Sequence, residues 1–197
     1  MKLALCPNLI RSGIRFLAPV MILALSVDVG GALPGGKPSS KVPVLPEKPY
    51  SYSGVELPNH FPGRRRENTP RNNRVTDHGA TLGRVLFYDK RLSSNGKISC
   101  ASCHRAESAF ADPRRLSRGT KGLSGKRNAQ GIANASFHPT GRFFWDERAE
   151  TLEEQVLMPI QDPKEMDADL EQVVRDLSSV AFYEPLFTNA FGSPEVT

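Results

Sequence analysis

Cysteine is scarce in this 197-residue chain, with three residues at positions 6, 100 and 103. The last two stand in Cys100-Ala101-Ser102-Cys103-His104, a C-x-x-C-H run. Three chemistries use that spacing. Two thiols can add across the vinyl groups of a haem as thioethers, while the next residue's imidazole reaches the iron from the proximal side. A structural zinc would need two further ligands, and neither a second cysteine pair nor a suitably spaced histidine pair follows. A redox dithiol asks for a preceding strand in an α/β setting, and Lys97-Ile98-Ser99 is too short to predict one. A chance occurrence in a structural helix is the remaining alternative. The run therefore points to covalent haem c, held by Cys100 and Cys103, with His104 on the iron.

Other candidate groups carry less. Gly119, Gly122 and Gly125-Lys126 have the look of a phosphate loop, but Arg127 stands where Ser or Thr would bind the metal, and no strand precedes it. The stretch reads instead as a loop over the haem. His60, His78 and His138 read as surface or packing residues. Met158 and Met166 are alternative sixth ligands of an electron-transfer haem, or core fillers.

Around these groups the chain is ordinary in charge and poor in regular pattern. Its hydrophobic share is 39% and its charged share 24%, which excludes a polytopic membrane protein or a fully disordered one. Residues 1–32 place Lys2, Arg11 and Arg15 before a short apolar run and a small-residue zone. That is the layout of a secretory signal, with an uncleaved membrane anchor as the alternative, and it implies a periplasmic protein. Cys6 lies within it. Residues 33–75 form a Pro- and Arg-rich linker or arm, broken by eight prolines from Pro34 to Pro70. Val42 to Leu57 within it would make a short strand or a packed extension. Arg64, Arg65, Arg66, Arg71 and Arg74 read as a solvated basic arm, and nothing supports nucleic-acid binding.

The domain proper, 76–197, reads as all-α with short helices and long loops. Thr76 or Asp77 caps a helix with Leu82, Val85 and Leu86 on one face. Thr151 and Glu154 spell a capping box before a helix that stops at Pro159. Asp169 and Gln172 open another, with Leu170, Val173, Val174 and Leu177 in a stripe. Pro185 starts a last helix that ends at Gly192. Residues 112–140 have no period, and a loop of that length in a compact domain usually wraps something.

Taken together, 82–89 (Leu-Gly-Arg-Val-Leu-Phe-Tyr-Asp), Leu92-Ser93, the C-x-x-C-H run and Gly125-Lys126-Arg127-Asn128 resemble the di-haem cytochrome c peroxidase family, which includes MauG-type enzymes. The likeness continues through Phe144-Trp145-Asp146-Glu147-Arg148, Leu152-Glu153-Glu154-Gln155, 159–166 (Pro-Ile-Gln-Asp-Pro-Lys-Glu-Met) and 190–197 (Ala-Phe-Gly-Ser-Pro-Glu-Val-Thr). The resemblance implies a cytochrome c-like haem domain, and an oxidoreductase that reduces hydrogen peroxide with electrons from a cytochrome c or cupredoxin-type donor. It implies that Glu165 and Gln155 lie in the distal pocket, Glu165 to move a proton between the peroxide oxygens and Gln155 to orient the bound species. Trp145 matches a tryptophan that relays electrons between two haems, and Asn128 a ligand of a calcium ion at a domain junction. A homodimer is left open.

Two departures stand out. Where many family members carry a removable histidine ligand in the glycine-rich loop, this chain has Thr120, as expected of an iron open to peroxide and closer to MauG-type proteins. The family also carries a second C-x-x-C-H domain downstream, so these residues read as the N-terminal, peroxidatic part of a di-haem enzyme. A mono-haem electron-transfer cytochrome c, and MauG-type oxidation of a protein substrate, are the alternatives.

Overall fold

The computed structural model describes residues 42–61 and 67–197. The signal-like segment with Cys6, and Arg64, Arg65 and Arg66, lie outside the described residues. Five helices follow in chain order: α1 (Asp77–Tyr88), α2 (Cys100–Cys103), α3 (Leu152–Gln161), α4 (Leu170–Ser178) and α5 (Tyr183–Phe191). Single 3-10 turns lie at Lys90–Leu92, Ala106–Ser108 and Ala135–Phe137. Among the described residues there is no strand, only three isolated antiparallel bridges. The all-α expectation holds. The possible strand between Val42 and Leu57 does not form, because the prolines there remove ladder donors.

Local chemistry sets the helix ends. Thr76 Oγ1 accepts from Gly79 N at 3.0 Å and opens α1. Asp169 does the same for α4 through Gln172 N at 2.8 Å. At α3, Thr151 Oγ1 accepts from Glu154 N at 3.1 Å, but the returning carboxylate of Glu154 takes Glu150 N rather than that of Thr151. Two boundaries differ from the sequence expectation. α3 runs through Pro159 to Gln161, since a proline in the last turn costs one bond that the following residues do not need. α5 begins at Tyr183, which puts Pro185 inside its first turn, where the missing N–H has no intrahelical partner to lose. Gly192 ends α5 as expected, with φ +79° in the left-handed region.

The core gathers at the two ends of the described chain. Leu82 of α1, Leu92, Met166, Val173 and Leu177 of α4, and Tyr183, Leu186 and Phe187 of α5 form one buried cluster. Met166 is therefore a core side chain. Asp89 ties the cluster together: it accepts from Arg91 N at 2.8 Å, pairs with the Arg91 guanidinium at 2.9 Å, and accepts from the Tyr183 hydroxyl at 2.5 Å. Burial, then the bond to Asp89, pushes the Tyr183 hydroxyl pKa up, so it stays a donor. Residues 42–61 contribute no helix. Tyr52 N and Ser53 N both donate to Asp77 Oδ1 at 2.8 Å, which lays this segment across the start of α1.

Tyr183→Phe keeps the ring and removes the donor to a buried carboxylate. It is expected to cost about 1.5–3 kcal/mol, the range for hydrogen bonds to charged groups. Urea unfolding should show a lower midpoint at unchanged slope.

Candidate functional site

A single helical turn carries the C-x-x-C-H residues. Ser99 N donates to Ser102 Oγ at 3.0 Å and His104 N to Cys100 O at 2.9 Å, so the turn closes on itself. Both thiols are free and half-buried. Burial pushes each thiol pKa up, and the charges of Asp112 and Glu165 add to the rise at Cys103. Glu165, 62 positions along the chain, is thus close enough to act on Cys103.

The loop after α2 fixes the His104 ring. Ala109 and Phe110 both take left-handed backbone, at φ 53° and 58°. Side chains disfavour that region, and here it turns the Phe110 carbonyl back toward the histidine. His104 Nδ1 lies 3.0 Å from Phe110 O and 3.0 Å from Gln130 O. Two acceptors at one nitrogen set the tautomer: Nδ1 carries the proton and Nε2 keeps its lone pair for a metal. No feature of the sequence pointed to those two carbonyls, because neither Ala nor Phe signals a left-handed turn.

Asp112 braces this loop from inside. Its carboxylate is fully buried, accepts from Arg114 N at 2.9 Å, and makes a two-pronged pair with the Arg114 guanidinium. Burial would raise its pKa, and the Arg114 bonds outweigh it, holding the carboxyl at about 2 against an ordinary 3.8. Asn128 donates to Asp112 O at 2.9 Å and Arg114 O at 2.7 Å. Its own carbonyl accepts from the Trp145 indole at 2.9 Å. Trp145 is 60% exposed, on a tight loop in which Phe143 N bonds Ala149 O, and Phe144 lies beneath the Arg148 guanidinium at 3.4 Å. Trp145 and Asn128 are therefore brought together. Among the described residues no group of three His, Cys, Asp or Glu is placed to hold a metal ion.

The glycine-rich loop is a short ribbon. Gly119 N bonds Leu123 O and Gly125 N bonds Ser117 O, each at 3.0 Å. Its tip rests on the turn that carries Glu165: Thr120 N donates to Glu165 O at 2.8 Å and Lys121 pairs with Asp167 at 2.8 Å. Asn95 Nδ2 grips Thr120 O from the other side at 3.0 Å. A side chain at 119 is impossible there, since a Cβ would lie 2.1 Å from Lys164 O. Burial, then the Asp162 charge, raises the pKa of Glu165, with Arg148 opposing. Gln155 is half-buried on α3, whose Leu152, Val156 and Leu157 remain exposed.

The donor set fits a covalently attached haem. Two free thiols one turn apart precede an imidazole with a free Nε2. The Thr120 hydroxyl is buried without a hydrogen-bond partner among the described residues. From Cys100 to Glu165 only Asp112 and Ala149 are buried, so this half has little apolar core of its own. A flat apolar macrocycle matches such surroundings.

The family described as di-haem cytochrome c peroxidase matches residues 77–197. Methylamine utilization protein MauG of Methylophilus methylotrophus is 38% identical over 128 residues, 65% of this chain and 38% of the relative. Cytochrome c551 peroxidase of Nitrosomonas europaea is 42% identical over 118 residues, 60% of this chain and 35% of the relative. The crystal structure of a MauG-like protein associated with microbial copper homeostasis superposes with a TM-score of 0.62 at 40% identity, covering 70% of this chain and 39% of that one. The chain thus spans just over a third of the length of these relatives.

Gly119→Ala should force the ribbon off the Glu165 turn and cost about 1–3 kcal/mol in urea unfolding, the usual range for overpacking. Asp112 yields a pH prediction. Its folded pKa is depressed, so its contribution is complete above about pH 4 and disappears as pH falls toward 2. Asp112→Asn should flatten the fall in stability across that acid window in thermal melts, and lower stability at neutral pH by about 1–3 kcal/mol.

Proposed function

The chain belongs to the di-haem cytochrome c peroxidase family, and from that premise we propose that it is the peroxidatic haem domain of an exported enzyme that reduces hydrogen peroxide. Cys100 and Cys103 hold haem c by two thioether bonds. His104 binds the iron through Nε2, and the two carbonyls at its Nδ1 are the observation that carries this reading. Hydrogen bonds at Nδ1 make the ring a stronger donor and fix its plane. Haem, when bound there, supplies the iron that accepts oxidising equivalents from peroxide.

The other residues bind, orient and move protons. Glu165 takes the proton from one peroxide oxygen and returns it to the other, which leaves as water; the first oxygen leaves as a second water when the donor has supplied two electrons and solvent two protons. A carboxyl whose pKa is raised by burial is suited to both halves of that transfer. Gln155 orients the oxygens through its amide. Trp145, bonded to the Asn128 carbonyl, relays electrons from a second haem domain, and a cytochrome c or cupredoxin-type donor reduces that domain. Asn128 uses its NH2 on Asp112 and Arg114, which leaves Oδ1 as one oxygen ligand for calcium at the junction. The buried Thr120 hydroxyl, where relatives place a ligating histidine, favours a site open to peroxide without prior reduction. The same feature supports the second reading, oxidation of a protein substrate in the manner of MauG. The electron-transfer cytochrome keeps one of its two candidate sulfur ligands: Met166 is enclosed in the core, and the half-buried Met158 on α3 remains.

Stopped-flow mixing of the haem-loaded chain with hydrogen peroxide tests the assignment. Glu165→Gln should slow the first step by about 10²–10⁴, as for other acid–base groups, and Gln155→Ala by less. An unchanged first step in Glu165→Gln would remove Glu165 from the reaction.

A further inference from the structure

Charge is distributed unevenly along the site loops. Residues 113–145 hold Arg114, Arg115, Arg118, Lys121, Lys126, Arg127 and Arg142, and no Asp or Glu. Four of these seven are neutralised from outside the segment: Arg114 by Asp112, Lys121 by Asp167, Arg127 by Asp146 and Arg142 by Glu150. Arg115, Arg118 and Lys126 are not. All three are exposed and have no carboxylate within ion-pair distance among the described residues.

These three sit on or beside the 117–125 ribbon, and the backbone of two more lysines, neither with an ion pair among the described residues, borders it. Lys164 belongs to the backbone against which Gly119 rests, and Lys97 donates its N–H to the Asn95 side chain that grips Thr120 O. The acids nearest by contact are already engaged or inward. Asp167 is paired with Lys121, Asp162 accepts from Lys164 N at 2.8 Å, and Glu165 is half-buried. Leu123, 47% exposed near the ribbon tip, adds one apolar contact among the cations.

We propose that the 117–125 ribbon and the cations around it form the docking surface for a protein that presents a cluster of carboxylates. Opposite charges across a surface of this kind raise the association rate and select the partner's orientation. The ribbon also touches the Glu165 turn, so a partner seated on it comes close to the reactive centre. That this partner is a protein oxidised in the manner of MauG rests on the second reading above; the docking itself does not. An anionic membrane is the less suitable occupant, because the 117–125 ribbon itself contains no Trp, Tyr or Phe to settle at a lipid interface.

The experiment uses the full haem-loaded chain and a fluorescein-labelled peptide of ten glutamates, read by anisotropy across ionic strength. Binding should weaken steadily with salt. The triple variant Arg115→Glu/Arg118→Glu/Lys126→Glu should weaken it at least tenfold. A control with the same change in net charge, Lys48→Glu/Arg71→Glu/Arg175→Glu, should weaken it by no more than threefold. No binding of the peptide, or equal losses in both variants, would overturn the proposal. Tighter binding to phosphatidylglycerol vesicles than to the peptide would also overturn it, in favour of a lipid surface. None of these outcomes depends on peroxide turnover, so the docking surface and the peroxidase reading can fail separately.

Discussion

The ribbon that carries Thr120 can lie on the Glu165 turn only because residue 119 has no side chain. With a Cβ 2.1 Å from a backbone carbonyl, neither partner could relax by a rotamer change; one backbone would have to move. That contact lets Thr120 N reach Glu165 O, and beside it Ser94 N bonds Met166 O at 3.0 Å. Three stretches distant in sequence, around 94, 120 and 165, are thereby fixed to one another by backbone groups. The carboxyl of Glu165 inherits its place from that junction, and so does its influence on Cys103.

The rest of the molecule divides between two ways of holding a chain together. α1, α4 and α5 bury leucines, valines and aromatics around Tyr183, and the Asp89–Arg91–Tyr183 network satisfies the polar groups enclosed with them. From Cys100 to Glu165 there is almost no such burial, and order comes from turns, bridges and carbonyls that accept side-chain donors. Asn128 is typical: both hydrogens of its amide go to backbone carbonyls, and its own carbonyl anchors Trp145. Such an arrangement exposes backbone and charge to whatever approaches. It suits a region that receives a flat cofactor on one side and, on the present proposal, an acidic partner on the other.

Left-handed backbone appears where this polar half needs a carbonyl or a side chain aimed against the run of the chain. Ala109 and Phe110 turn a carbonyl to His104, while Phe144 and Glu147 shape the loop that carries Trp145 outward. Each such residue costs of order 1 kcal/mol or more, and their clustering around the proposed haem and electron path fits the habit of functional sites.

The proposed haem attachment is legible in five residues, since C-x-x-C-H needs only local spacing to place two thiols and an imidazole on one turn. The helix starts at Thr76, Thr151 and Asp169 were legible for the same reason: a cap acts over three residues. The apolar stripe of α4 likewise indicated which face it buries. The endpoint of α3 was not, because a proline near a helix end is tolerated or not according to what its neighbours bond. Nor could periodicity show that Glu165 comes near Cys103, that Gly119 is pressed against Lys164, or that two carbonyls 20 residues apart share one nitrogen of His104. These are contacts between segments with no repeating pattern. Their geometry follows from hydrogen-bond satisfaction across the whole loop system, and only the folded chain decides it.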